Sequence, residues 1–280
     1  MKYIIFFVSF ALTFVSCIKN NPDPSFIEIK KFTLETNTNG NNAGVLTENI
    51  SNGWVYVNDK LLGVFELPCR VPVLATGTVS IRVYPTILNN GISATKKIYP
   101  FLEPHDENIV LIQNEVVTIN PKTKYYSNVK FWIEDFESAT MAISSGSPSP
   151  ASVIQVSNAS NTYGRVFLNA SQNEWNAYTN QAVSFPLGSA VYLEIDYYNT
   201  TKIVTGMIAL KQDGTQDNHV NIAMNAQAPS KVVWKKIYID LQEVAGYSGG
   251  FEFLQTFQAK LADGQTEAEV WIDNIKVVHY

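Results

Sequence analysis

Apolar and polar residues alternate one by one in runs along this chain, and no stretch of ten or more residues keeps a helical period. Thr78 to Tyr84 reads T-V-S-I-R-V-Y and sets Val79, Ile81 and Val83 on one face. Val191 to Tyr198 reads V-Y-L-E-I-D-Y-Y, with one apolar face and another that carries Tyr192, Glu194, Asp196 and Tyr198. A period of two belongs to half-buried strands, and a strand with one polar face belongs to a sheet wet on that side. Turn pairs such as Asp213-Gly214 and Asp263-Gly264 separate the runs. The expected class is all-β.

The runs fall into two groups. From Phe26 to Ser127 they are short. Trp54–Val57 and Leu61–Leu67 flank Asn58-Asp59-Lys60 as a hairpin. Thr78–Tyr84, Ile92–Tyr99, Ile109–Ile112 and Val116–Ile119 follow between Gly, Pro and Asn turns. About seven strands in about 100 residues predict a small Ig-like sandwich over residues 26–127. Pro121 to Asn128 reads as a junction. Beyond it, over residues 128–280, runs at 151–156, 164–168, 190–198, 203–211, 220–224, 232–241, 251–259 and 268–278 predict a larger antiparallel jelly roll.

The chain opens differently. Lys2 precedes thirteen residues, Ile4 to Ser16, that are almost wholly apolar. That run is too short for a bilayer core, which needs about 20 residues. A charged start, a short apolar centre and a small residue at its end make a secretory signal over residues 1–16. Phe14-Val15-Ser16-Cys17 resembles the lipobox of bacterial lipoproteins, with Phe14 where Leu is usual. The resemblance implies that Cys17 receives a diacylglycerol thioether and that the new amino terminus is acylated, with palmitate as the expected acyl group. Residues 17–25, broken by Pro22 and Pro24, then form a polar tether. It lacks the acidic cluster that marks surface export in lipoproteins of the Bacteroidetes. The expected location is the outer membrane, with the face left open.

Composition removes several classes. Losing residues 1–16 leaves 280 − 16 = 264 residues, enough for two domains at roughly 100–200 residues each. Charged residues are only 16%, no basic run exists, and the net charge is −5, so nucleic acid is excluded as a partner. With Cys17 acylated, Cys69 is the one remaining cysteine, which excludes a disulfide framework. Between apolar neighbours, Cys69 reads as a small core residue.

Two further resemblances concern the β units. Val55-Tyr56-Val57-Asn58-Asp59, Leu67-Pro68 and Gly77 to Val83 resemble PEGA-type modules of envelope proteins, which implies a spacer or adaptor without activity. Ile133-Glu134-Asp135-Phe136-Glu137, Tyr163 to Leu168 and the closing Val270 to Val277 resemble the galactose-binding-like jelly rolls of carbohydrate-binding modules. That resemblance implies the fold and a sugar ligand. It also implies a structural Ca²⁺ held by Asp135, Glu137 and Asp273, since calcium takes six to eight hard oxygens.

Catalytic patterns are poorly supported. Gly246-Tyr247-Ser248-Gly249-Gly250 satisfies G-x-S-x-G, and Asp263 or Asp273 and His279 follow in order. The motif needs a strand-to-helix turn in a mostly parallel sheet, whereas a glycine-rich loop before another strand is expected here. His105, His219 and His279 show no zinc spacing. Glu194 and Asp196 lie about 7 Å apart on one strand face and cannot flank a glycosidic bond. Sugar binding needs exposed rings beside hydrogen-bonding groups, and Trp175, Tyr178, Tyr192 and Tyr198 are the candidates. The preferred reading is a non-enzymatic, lipid-anchored adaptor of an outer-membrane protein complex for assembly, export or uptake. The alternative is a lipid-anchored glycan-binding protein, disfavoured because no compact Trp cluster is visible.

Overall fold

The computed structural model describes residues 23–158 and 161–280, so the signal run and Cys17 lie outside the described residues. The fold is all-β. The first group of strands comprises β1 (Ser25–Ile29), β2 (Thr33–Leu34), β3 (Asn52–Val57), β4 (Lys60–Glu66) and β5 (Cys69–Val73). It continues with β6 (Gly77–Leu88), β7 (Lys96–Ile98), β8 (His105–Leu111), β9 (Val116–Ile119) and β10 (Lys122–Thr123). One sheet runs β5-β1-β9, with β1 antiparallel to β5 and parallel to β9. The other runs β4-β3-β6, and both β7 and β8 pair with β6. Ile27 and Ile29 of β1 meet Val55, Val79, Ile81 and Val83 in the core between these sheets. At the β3–β4 hairpin, Asn58 and Asp59 both take positive φ (48° and 59°), the combination that matches the right-handed twist of the strands.

The second group comprises β11 (Lys130–Glu134), β12 (Ile143–Ser145), β13 (Val153–Ser157), β14 (Thr162–Asn169), β15 (Glu174–Thr179) and β16 (Val191–Asn199). It continues with β17 (Ile203–Leu210), β18 (Gln216–Met224), β19 (Lys235–Asp240), β20 (Glu252–Lys260) and β21 (Glu267–His279). One antiparallel sheet runs β13-β14-β21-β16-β19, with β11 also on β21. The other runs β12-β15-β20-β17-β18. Trp175, Phe253 and Phe257 fill the space between the two sheets with Val191, Leu193, Ile195, Ile272 and Val277. Strand β15 reads E-W-N-A-Y-T, in which buried and half-buried residues alternate.

Two expectations about elements change. The segment from Ile92 to Tyr99 is mostly turn, because Asn90 and Gly91 adopt positive φ and Thr95 Oγ1 donates to both Asn89 O and Ile92 O. Only Lys96–Ile98 extends. Before β20 the chain forms a short helix, α1 (Gln242–Ser248), that ends on Gly249 at φ 72°. Seven residues are too few to show as a period.

The largest correction concerns the supposed wet face of β16. Val191, Leu193 and Ile195 point into the second core as expected. Tyr192, Glu194 and Asp196 point the other way, yet all three are buried. The first sandwich covers Tyr192 and Glu194, and Tyr192, Tyr238 and Val278 join its core, while Asp196 lies at the margin of the covered area. Alternation on a strand reports that a face is polar; it does not report what covers it.

Glu194 sits at the centre of this contact. Tyr99 Oη donates to its Oε1 at 2.6 Å, and Tyr125 Oη reaches the two oxygens at 2.9 and 3.1 Å. Lys236 Nζ lies 2.9 Å from Oε2 and 3.6 Å from Asp196 Oδ1. Burial alone would raise the Glu194 carboxyl; Lys236, Lys276 and the Tyr99 hydrogen bond outweigh it and hold the group below its ordinary value. Burial pushes Tyr99 and Tyr125 well up, and the Glu194 charge adds to it, so both remain donors. Around this centre, Lys97 pairs with Asp240 at 2.7 Å and the Tyr192 hydroxyl lies 2.8 Å from Asn89 Oδ1.

Removing one partner of a buried pair leaves the other charge uncompensated. Glu194→Ala should therefore lower stability by about 3–5 kcal/mol at pH 7, measured by urea unfolding. Because the folded-state carboxyl titrates below 4.5, its contribution is complete above that pH and fades as pH falls through the folded value. The deficit of the variant should shrink below pH 4.5; a deficit that persists unchanged would contradict this account.

Candidate functional site

Beside the buried contact, a cleft opens on the outer face of the β14-β21-β16-β19 sheet. Its volume is about 350 Å³. The floor is Asp196, Lys236, Asp273 and Asn274; Val45, Thr47 and Glu48 form one wall and Trp234 with Lys235 the other. Asn161 stands at the rim.

A β-bulge shapes the floor. Pairing of β16 with β21 runs Glu194↔Lys276 and then Asp196↔Asp273, with a register shift between them. The extra residue is accommodated at Asn274, which takes φ 47°, a left-handed conformation that asparagine tolerates. The bulge turns the Asn274 side chain so that its Nδ2 donates to Asp196 Oδ2 at 3.0 Å. Asp196 and Asp273 thereby stand opposite one another on neighbouring strands. Asp273 accepts from Asn161 Nδ2 at 2.8 Å and from Asn274 N at 2.7 Å. Burial pushes its carboxyl up to about 6 against those two hydrogen bonds.

The wall from the first sandwich is a strap. Asn49 N donates to Tyr238 Oη at 3.0 Å, and Asn49 Nδ2 to Lys236 O at 3.0 Å. Lys236 Nζ donates to Thr47 Oγ1 at 3.1 Å, and Lys276 Nζ to Val45 O at 2.6 Å. Burial lowers Lys276 to about 8, with Glu194 opposing the fall. The strap thus spends its polar groups on the second sandwich.

Four rings gather beside the opposite wall. Tyr198 stacks on Trp271 across the β16–β21 pair, 4.2 Å between centroids and 15° between planes. Tyr163 lies 5.1 Å from Trp271, and Trp234 lies 5.5 Å from Tyr163 and 6.0 Å from Trp271. Glu269 fixes the group by accepting from Trp271 Nε1 at 2.7 Å and pairing with Arg165. Trp234 remains 41% exposed, so an aromatic surface is offered at the cleft mouth.

Of the residues expected to bind sugar, only Tyr198 belongs to this assembly. Trp175 is buried in the second core and stacks against Phe257. Tyr178 lies three residues further along β15 and so on the opposite, outward face of the other sheet. Tyr192 is sealed under the first sandwich. Trp234, Trp271, Tyr163 and Asn161 were missed. Trp271 was legible, since it alternates outward from Val270 and Ile272 on β21 and faces Tyr198; Trp234 precedes β19 in a loop and left no periodic signal.

The carboxylates expected to hold calcium have hydrogen-bond partners within the protein. In β11 the inward carboxylate is Glu134, whose oxygens accept from Phe136 N and Ala142 N. Asp135 Oδ1 accepts from Glu137 N at 3.2 Å, and Glu137 Oε1 from Thr162 N at 2.8 Å. Among the described residues no group of three or more His, Cys, Asp or Glu side chains could hold a metal ion, so Asp135, Glu137 and Asp273 do not form one. Ser248 fares similarly: it is buried at the end of α1, where its Oγ donates to Ala245 O at 3.0 Å. The strand-to-helix turn that a serine nucleophile needs is absent at this position. Burial raises the half-buried Cys69 thiol.

No protein-family model matches the chain, and no curated protein matches it. Solved structures similar to it include a xylan-binding domain of carbohydrate-binding family 22, at 15% identity over 52% of this chain and 92% of that one, with a TM-score of 0.37. Another is a carbohydrate-binding module of the β-sandwich superfamily, at 13% identity over 81% of this chain and 84% of that one, with a TM-score of 0.39. A third is the family 11 module of a cellulosomal cellulase of Clostridium thermocellum, at 20% identity over 55% of this chain and 97% of that one, with a TM-score of 0.35.

Asp273 yields a prediction of opposite sign to that for Glu194. Its folded value of about 6 exceeds its ordinary 3.8, so its ionisation opposes folding above pH 6 and the opposition vanishes below 3.8. Asp273→Asn should match or exceed the native protein in stability at pH 8 and lose that relative gain at pH 3.5, as read by urea unfolding.

Proposed function

We propose that this protein is a non-enzymatic glycan-binding protein of the cell envelope, anchored to the outer membrane by lipid on Cys17. The observation that carries the reading is the cleft, where an exposed indole stands over a floor of carboxylate and amide groups. A pyranose offers an apolar face to a ring and hydroxyls to such groups. The size suits a small ligand, since such sites occupy about 300–1,000 Å³. On sequence the glycan reading is disfavoured for want of a compact tryptophan cluster, and Trp234 beside Trp271 supplies a pair. The first sandwich then serves as a spacer that also contributes the strap.

A glycan array spanning neutral, amino and acidic polysaccharides, followed by electrophoresis in gels of those that bind, tests the reading. Trp234→Ala and Trp271→Ala should weaken binding about tenfold or more, equivalent to about 1.4 kcal/mol. Trp175→Ala is no probe of the site, because it empties the core and should cost about 3–5 kcal/mol of stability instead. Absence of any bound glycan would sink the proposal.

The anchor is tested separately. Among the described residues no helix is long and apolar enough to cross a membrane. Acylation of Cys17 with three chains would hold the body alone, at about 0.8 kcal/mol per buried CH₂. Cys17→Ser should move the folded protein from the membrane fraction to the soluble one, and retention at the membrane would point to a protein partner.

A further inference from the structure

The end of the first sandwich from which the amino-terminal segment departs carries four exposed aliphatic side chains. Leu74 is 72% exposed, Val110 58%, Ile112 51% and Val116 39%. Pairing places them at one end of the sandwich, with Val110 and Val116 on the outer sides of its two sheets. Val73 faces Ser25 and Val116 faces Phe26 on the two sides of β1, while Val110 lies on β8 one residue before Leu111, which faces Gly77. The turn from Ile112 to Glu115 is closed by Glu115 N donating to Ile112 O. That turn also holds the entering chain, because Asn114 N donates to Pro24 O at 3.0 Å, Asn114 Nδ2 to Asp23 Oδ2 at 3.2 Å, and Phe26 N to Glu115 O at 2.8 Å.

From this we infer that the Leu74–Val110–Ile112–Val116 tip docks into the lipid surface to which the chain is tethered. The inference rests on the anchor at Cys17 proposed above. Only five residues, 18–22, and hence 23 − 17 = 6 Cα–Cα steps, separate that cysteine from Asp23. Fully extended they span at most about 22 Å. The tip is therefore confined beside the bilayer, where contact is intramolecular and a short tether supplies an effective concentration in the mM range. Four aliphatic side chains, too weak to bind lipid from free solution, suffice under that confinement. Asp23 and Glu115 at the same tip make the attraction apolar and not a pull toward anionic headgroups.

The arrangement is compatible with ligand binding. Strand β6 begins at this tip with Gly77 and ends at Leu88, next to the bridge between Asn89 and Tyr238 of the second sandwich. Twelve residues at about 3.3 Å each set the cleft-bearing sandwich on the order of 35 Å from the tip. Docking leaves it in water.

The test uses the full-length acylated protein in phosphatidylcholine vesicles. A polarity-sensitive dye is placed on Leu74→Cys and, in a second sample, on Val220→Cys of the second sandwich, with Cys69→Ser in both. The dye at 74 should shift to the blue on vesicle binding and be quenched by spin-labelled lipid, while the dye at 220 should do neither. Ile112→Asp should abolish the shift at 74 without releasing the protein. Vesicle-bound protein with a water-like dye at 74 would overturn the docking and leave the anchor standing. Failure to bind vesicles at all would overturn both. A concentration-dependent dimer of the Cys17→Ser form that Leu74→Asp dissolves would assign the tip to a second copy and overturn the inference.

Discussion

A carboxylate enclosed between two sandwiches, as Glu194 is, stays ionised only if its neighbours replace the water it has lost. Two tyrosine hydroxyls from the first sandwich and one lysine of the second do so. The donors come from both sides of the contact, so neither sandwich alone can satisfy the group. That is why the polar face of β16 has a fixed partner and a fixed register against it. Apolar contact between Tyr99, Tyr192 and Tyr238 excludes water around the pair, and the exclusion in turn strengthens every charge interaction inside it.

The cleft is a by-product of how that contact ends. Where the first sandwich stops covering the sheet, the bulge at Asn274 turns the strand, and the strap of Val45 to Glu48 descends to bond Lys236 and Lys276. The same lysine that neutralises Glu194 therefore shapes the floor beneath Trp234. Stability and binding are coupled through Lys236, because a change there disturbs the sealed pair and the open cleft together.

Much of the fold was legible because a period of two is a local property. The inward residues of β6 and β16 follow from alternation alone, and those of β21 do so up to the bulge at Asn274. The limits follow from the same fact. Tyr192, Glu194 and Asp196 read as a wet face because nothing local encodes the covering tyrosines, which come from Tyr99 and Tyr125, 93 and 67 residues before Tyr192. Trp175 and Tyr178 could have been separated on sequence, since three residues apart on a strand they oppose one another. Trp234 could not, because a loop residue carries no period and its place beside Trp271 is set by packing. The partners of Asp135 and Glu137 are backbone amides, which no side-chain pattern reveals.

Strand β1 has hydrogen-bonded neighbours on both sides, β5 antiparallel and β9 parallel, and it is the first strand of the described chain. A pull on the amino-terminal side enters the body along this strand, not at the edge of a sheet. Its ladders to both neighbours are then loaded lengthwise, so their bonds share the force and must yield together instead of one after another. The strand that heads the fold is thus placed as its mechanical clamp.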